Sequence, residues 1–165
     1  MTRSESPAGL TPAQLEVWAA VATLLERLPA ALDAQLQRDS GLTHFEHGLL
    51  FALATAPDRT LRLSTLAGYA NCTLSRLSRA ITRLENKSLV RRETDPSDGR
   101  ASLAILTDEG DKKLRQSTPA HHALVEKLVF APLSEAQTRQ PGAITRTINA
   151  TIDPAPAWTP PTPEG

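Results

Sequence analysis

The sequence predicts a mainly helical fold with one small β-ribbon, in which long N- and C-terminal helices flank a compact middle. Two observations carry this. Apolar residues recur at helical spacing behind helix-start signals along most of the chain. Only in "LVRRET" and "ASLAIL" does the spacing shift toward alternation, on either side of the turn-rich "DPSDG". The expected organisation is a flexible N-terminus over 1–10, a first long helix over 11–40, a mixed middle over 43–106, helices over 107–152 and a Pro-rich tail over 153–165.

The elements follow in order. "TPAQ" offers Thr11 as N-cap, Pro12 at the first helical position and Gln14 closing a capping box. Leu15, Trp18, Val21, Ala22, Leu25, Leu28, Leu32 and Leu36 then repeat at helical spacing, with Pro29 expected to kink the helix. Gly41 ends it, Thr43 caps the next with Glu46 reaching back, and Phe45, Leu49, Leu50 and Leu53 form a buried side until Pro57. "RLSTLAGYAN" predicts a short helix capped by Ser64. After a brief turn, Thr73 caps "TLSRLSRAITRLENK", whose Leu74, Leu77, Ile81 and Leu84 share one face and whose Ser75, Arg76, Ser78, Arg79, Thr82 and Arg83 share the other. A two-stranded ribbon follows, its "DPSDG" loop longer than a two-residue turn. A long helix starts at Thr107, with Asp108 and Glu109 at its positive end. It is expected to reach about Ala131, bent near Pro119. Ser134 and Gln137 start the last helix, which Pro141-Gly142 should break or bend.

The composition is that of an ordinary globular protein, 40% hydrophobic and 22% charged. No apolar run approaches the roughly 20 residues that span a bilayer. "MTRSESPAGL" lacks an apolar signal-peptide core, so a cytoplasmic location is expected. The single cysteine, Cys72, excludes an internal disulfide. The formal net charge is zero, yet its distribution is uneven. Residues 59–100 hold nine Arg or Lys against four Asp or Glu, a net of +5 that the rest of the chain balances. A basic centre between acidic flanks points to a polyanionic partner.

A short helix, a turn, an amphipathic helix with a basic outer face and a ribbon with a charged tip form the order of a winged helix-turn-helix. Its second helix can enter the major groove of double-stranded DNA. Arginine suits that position because it grips guanine O6 and N7 or a phosphate bidentately. Arg76, Arg79 and Arg83 follow i, i+3, i+7 spacing and form one stripe, and Ser75 and Ser78 are short enough to bond phosphates or base edges. The candidate DNA-binding residues are Thr73, Ser75, Arg76, Ser78, Arg79 and Arg83 on the helix, with Arg92, Asp98 and Arg100 on the ribbon. A solvated helix face is the plainer reading of the stripe alone; the ribbon beside it shifts the balance to DNA.

"LSTLAGYANCTLSRLSRAITRLENKSLVRRETDPSDGRASLAILTDEG" resembles the MarR family of bacterial transcriptional regulators. Within it, "LSRLSRAITRLENKSLVRR" resembles the recognition helix and first wing strand, and "DPSDGR" the D-x-R wing motif, with Asp98 and Arg100 in the motif positions. Gly99 stands where a basic residue is common. The resemblance implies a homodimer whose first and last helices interlock while two winged domains read a pseudo-palindromic operator. It implies that Asp98 aims the Arg100 guanidinium by an ion pair. It also implies a repressor released by a small effector, often aromatic or phenolic, while other members sense oxidants or metal ions.

Several residues invite other readings. His44 and His47 are spaced i, i+3, and His121 and His122 are adjacent; they raise the question of a metal, since some family members bind zinc between the second and fifth helices. The commoner reading, histidines lining a dimer groove or facing solvent, is adopted, so no metal or cofactor is assigned. Cys72 fits a small half-buried residue in a tight turn better than a redox sensor. No Gly-rich phosphate loop, G-x-S-x-G or metal-hydrolase motif is present, so no enzyme is expected. The alternatives are a metal- or redox-responsive regulator, or a dimeric helical ligand-binding module without DNA binding.

Overall fold

The computed structural model describes residues 9–152, so the first eight residues of the expected flexible N-terminus and the whole Pro-rich tail lie outside the described residues. Helix α1 spans Pro12–Ser40, α2 His44–Ala54, α3 Leu63–Tyr69, α4 Leu74–Asn86, α5 Asp108–Val125 and α6 Glu135–Ile152. Strands β1 (Thr60–Arg62), β2 (Val90–Asp95) and β3 (Asp98–Leu106) form one antiparallel sheet in the order β1-β3-β2.

The expected capping boxes are present. Thr11 and Gln14 close one at the start of α1, and Thr43 and Glu46 close another at the start of α2. Gly41 ends α1 in the left-handed conformation, φ 68°, where glycine carries no Cβ penalty. Ser134 and Gln137 bond each other's backbone N–H groups at the start of α6. Thr73 caps α4 and Thr107 caps α5.

The structure corrects several expectations. The ribbon is three-stranded, because Thr60–Arg62 pairs with Leu103–Ile105. The α3 N-cap is Arg62, with no side-chain capping bond, and Ser64 lies inside the helix. Leu74 is 54% exposed, because it opens the first turn of α4 beyond the reach of the core. The last helix is not broken at Pro141-Gly142, and α5 does not run on to Ala131 as one regular helix but passes into a π-helical turn at Glu126–Phe130.

One hydrophobic cluster closes the middle of the chain. Leu50, Leu53, Leu66, Leu77, Ile81 and Leu84 are fully buried in it. Gly110 locks the start of α5 onto the sheet: a Cβ there would stand 2.0 Å from the Leu89 carbonyl oxygen, so only glycine allows the approach. The Thr107 N–H donates to that same oxygen at 3.1 Å. The same helix turn also fixes the sheet edge, since Arg59 beside β1 pairs with Asp108 and Asp111 at 3.1 and 3.2 Å.

Candidate nucleic-acid interface

Helices α3 and α4 are joined by a tight turn in which Asn71 adopts left-handed backbone, φ 46°, a conformation asparagine tolerates well. The turn presents the first half of α4 at the surface. Thr73 spends its hydroxyl on the Arg76 N–H, 3.2 Å away, while Ser75 stands exposed in the first turn. The Arg76 guanidinium lies 4.6 Å from the centroid of the Phe45 ring, a cation–π contact that holds it against α2. Arg79 is exposed and has no ion-pair or hydrogen-bond partner among the described residues.

The arginine stripe does not act as one unit. Arg83 turns back to the body of the protein, where its Nε donates to Glu46 Oε1 at 2.8 Å. Glu46 is almost fully buried, and its other oxygen takes Lys87 Nζ at 3.3 Å. Burial pushes the Glu46 carboxyl up, but the Arg83 bond, the Thr43 N–H and Lys87 outweigh it and hold the group below the usual carboxylate range. A buried carboxylate needs these cations, so Arg83 is committed to it. Arg92 is likewise a brace. Its Nε pairs with Glu85 at 3.0 Å, and its Nη2 donates to the Ser78 carbonyl at 2.6 Å and the Thr82 hydroxyl at 2.7 Å. It ties β2 to the outer face of α4 and stands half-buried.

The wing tip also departs from expectation. Pairing continues to Asp95 opposite Asp98, which leaves Pro96-Ser97 as a two-residue loop. The register shifts between Thr94 and Asp95, so Gly99, Arg100 and Ala101 bulge out of β3. Arg100 thus projects from a bulge beside the tip. Asp98 forms no ion pair with it. Its carboxylate accepts the Arg100 backbone N–H at 3.1 Å, because an aspartate side chain readily closes a turn onto the N–H two residues on. At the wing tip the ion pair is instead Arg62–Asp95, at 2.6 Å. The Ser97 hydroxyl and N–H, both on Asp95 Oδ1, hold that carboxyl below its usual range against its burial, and Arg62 adds to them.

Between α4 and the wing lies a groove of about 410 Å³ lined by Ser64, Leu74, Ser78, Arg92, Asp98 and Arg100. It brings together four of the expected residues and two, Ser64 and Leu74, that sequence reasoning had assigned to a cap and a core. Glu46, Glu85, Arg62 and Asp95 were missed as a frame for the reading surface. The capping-box signal did mark Glu46, but nothing local announces a partner 37 residues away. Between α2 and α3, an apolar cavity of about 250 Å³ is lined by His44, Phe45, Phe51, Leu66 and Tyr69 among others.

A sequence model of the MarR family matches residues 40–101, the stretch from the end of α1 to the wing bulge. The transcriptional regulator HosA of Escherichia coli O111:H- is 32% identical over 96 residues, which cover 58% of this chain and 70% of HosA. The crystal structure of Sco3205, a MarR family transcriptional regulator from Streptomyces coelicolor in complex with DNA, superposes with a TM-score of 0.88 at 43% identity. That match covers 95% of this chain and 98% of Sco3205. AbsC, another MarR family regulator from Streptomyces coelicolor, matches with a TM-score of 0.84 at 30% identity over 88% of this chain and 98% of its own. With its winged helix-turn-helix and long terminal helices, the chain belongs to the MarR family of DNA-binding transcriptional regulators, a family of regulators and not of enzymes. Among the described residues, no helix is long and apolar enough to cross a membrane.

Proposed function

We propose that the protein is a homodimeric repressor that binds a pseudo-palindromic operator in the cytoplasm and is released by a small effector. The observation that carries this reading is the sorting of the arginines. Arg79 on α4 and Arg100 on the wing have guanidinium groups with no partner among the described residues, and Arg100 lines the groove between these elements, while Arg83 and Arg92 hold the frame. Arg76, Arg79, Ser75 and Ser78 then read the major groove, and Arg100 reaches the adjacent minor groove, where narrow A·T-rich segments concentrate negative potential. The complex of Sco3205 with DNA supports the same use of this unit.

The terminal helices support the dimer. Leu15, Val17, Trp18, Leu24 and Leu25 on α1, and Ile144, Ile148 and Ile152 on α6, are exposed large apolar residues. A second copy is the simplest cover for a face of this size. The aromatic-lined cavity at α2 supports an apolar effector, because Phe45 both lines it and carries Arg76, so an occupant would act directly on the recognition helix.

Selection of bound duplexes from random DNA tests the reading. The expected result is a two-part site with half-sites about one helical turn apart. Recovery of no preferred sequence, or of a single half-site bound by a monomer, contradicts it.

A further inference from the structure

Three of the chain's four histidines, His44, His47 and His121, meet at the seam between α2 and α5, with the exposed His122 beside them. The His121 ring centroid lies 5.5 Å from that of His44, 4.7 Å from His47 and 6.3 Å from His122. His47 and His121 are buried, at 5% and 7% exposure. His44 Nδ1, His47 Nε2 and His121 Nδ1 are buried without a hydrogen-bond partner among the described residues. The charged group facing the cluster is Asp33 of α1, whose Oδ1 accepts the His44 backbone N–H at 2.8 Å. From α3, Tyr69 shares the apolar cavity with His44. On α5 itself, Ser117 and Thr118 spend their hydroxyls on the Leu114 carbonyl.

The first turn of α2 divides its contacts between two neighbours. His44 and His47 face α5, whereas Phe45 and Glu46, between them in sequence, hold Arg76, Arg83 and Lys87 of the recognition-helix segment. A change at the seam therefore reaches α4 through one helical turn. We propose that the histidine cluster is a proton-operated switch of DNA binding: acid charges the α2–α5 seam, the rings repel, and the shifted turn of α2 unseats the recognition helix.

The electrostatics agree in sign. Burial, then the neighbouring histidines, lower His47 to about 4. Burial lowers His44 against the pull of Asp33, and burial with His44 and His122 lowers His121. The packed seam thus binds protons more weakly than an opened seam with ordinary histidines near 6.5, so acid favours opening between those values. None of the four histidines lies on α4 or on the wing strands.

The test rests on the DNA binding proposed above and uses a duplex recovered by selection, with fluorescence anisotropy from pH 7.5 to pH 5 at fixed ionic strength. The expected result is a loss of affinity of tenfold or more at the acid end, reduced to twofold or less in the His47→Gln/His121→Gln protein. Because that protein could fold poorly, histidine ring proton signals of the parent are followed by NMR over the same range. They are expected to titrate where affinity is lost. Parent affinity unchanged at pH 5, or an acid loss retained in the folded double variant, overturns the switch. So does zinc added alone at pH 7.5 that releases DNA when acid does not, which would make the cluster a metal site. No binding at pH 7.5 defeats the operator reading itself, and the switch falls with it.

Discussion

Between Leu42 and Leu114 the apolar side chains close into one buried cluster, whereas α6 buries none of its residues and α1 buries only Leu32, Gln35 and Leu36. Both regions are apolar along a helical stripe; they differ in whether this chain supplies the other side. The middle has α2, α3, α4 and the sheet packed against one another, and it is framed by Glu46–Arg83, Glu85–Arg92 and Arg62–Asp95. The ends have Trp18 at 55% exposure and Ile148 at 49%. A reading unit closed within one chain, carried on helices whose apolar faces stay exposed, is the arrangement in which the proposed dimer would set the spacing of two readers without reshaping either.

The largest effect is expected where the two regions meet. Gly110→Ala places a methyl group against the Leu89 carbonyl, at the joint between α5 and the wing. It should cost about 1–3 kcal/mol or more as forced overpacking, read as a lower denaturation midpoint. A midpoint equal to the parent's would mean that the joint is loose and the middle is not a closed unit.

A substitution on the exposed face should separate the regions. Ile148→Asp leaves the buried cluster untouched but sets a charge on the proposed dimer face. Sedimentation should move from about twice the chain mass of 17.8 kDa toward that mass, and operator affinity should fall while the winged unit stays folded. A parent that already sediments as a monomer would contradict the dimer.

Acid should act on the middle more than on the ends. His44, His47 and His121 have lowered pKa values in the folded chain, so unfolding takes up protons. Their contribution to stability is complete above about pH 6.5 and declines as pH falls toward the folded-state values, about 4 for His47. Denaturation midpoints measured across this range should fall with pH, and His47→Gln should flatten the decline.

The smallest effect is expected at the wing. Asp98→Ala removes one acceptor from the Arg100 N–H and one negative charge near DNA. These act in opposite directions on affinity, so the net change should stay within about 1 kcal/mol. A larger loss would revive a direct aiming role for Asp98.

What the sequence made legible was local. The boxes Thr11–Gln14 and Thr43–Glu46 join residues three apart, so their residue types suffice to reveal them. The helical stripe of α4 was equally plain, with Leu77, Ile81 and Leu84 inward. Several failures were non-local. Strand β1 has three residues and exists because β3 offers an edge more than 40 residues later. Arg79 and Arg83 look alike in sequence, and only the fold brings a buried carboxylate to one of them. The wing motif misled for a different reason: the bulge at Gly99–Ala101 turns Asp98 toward a backbone N–H, which spacing along an ideal strand does not suggest.

The division between free and committed arginines is tested most directly by comparing Arg79→Ala with Arg83→Ala on the selected duplex, with salt titrations of binding and denaturation of each protein alone. Arg79→Ala should weaken binding by about 1–3 kcal/mol, or flatten the salt slope by about one unit if it holds a phosphate, with stability unchanged. Arg83→Ala should keep the parent's salt slope and instead lower stability, by about 1–3 kcal/mol for a bond lost to a buried carboxylate. Equal flattening of the salt slope in both proteins, with both as stable as the parent, would contradict the account.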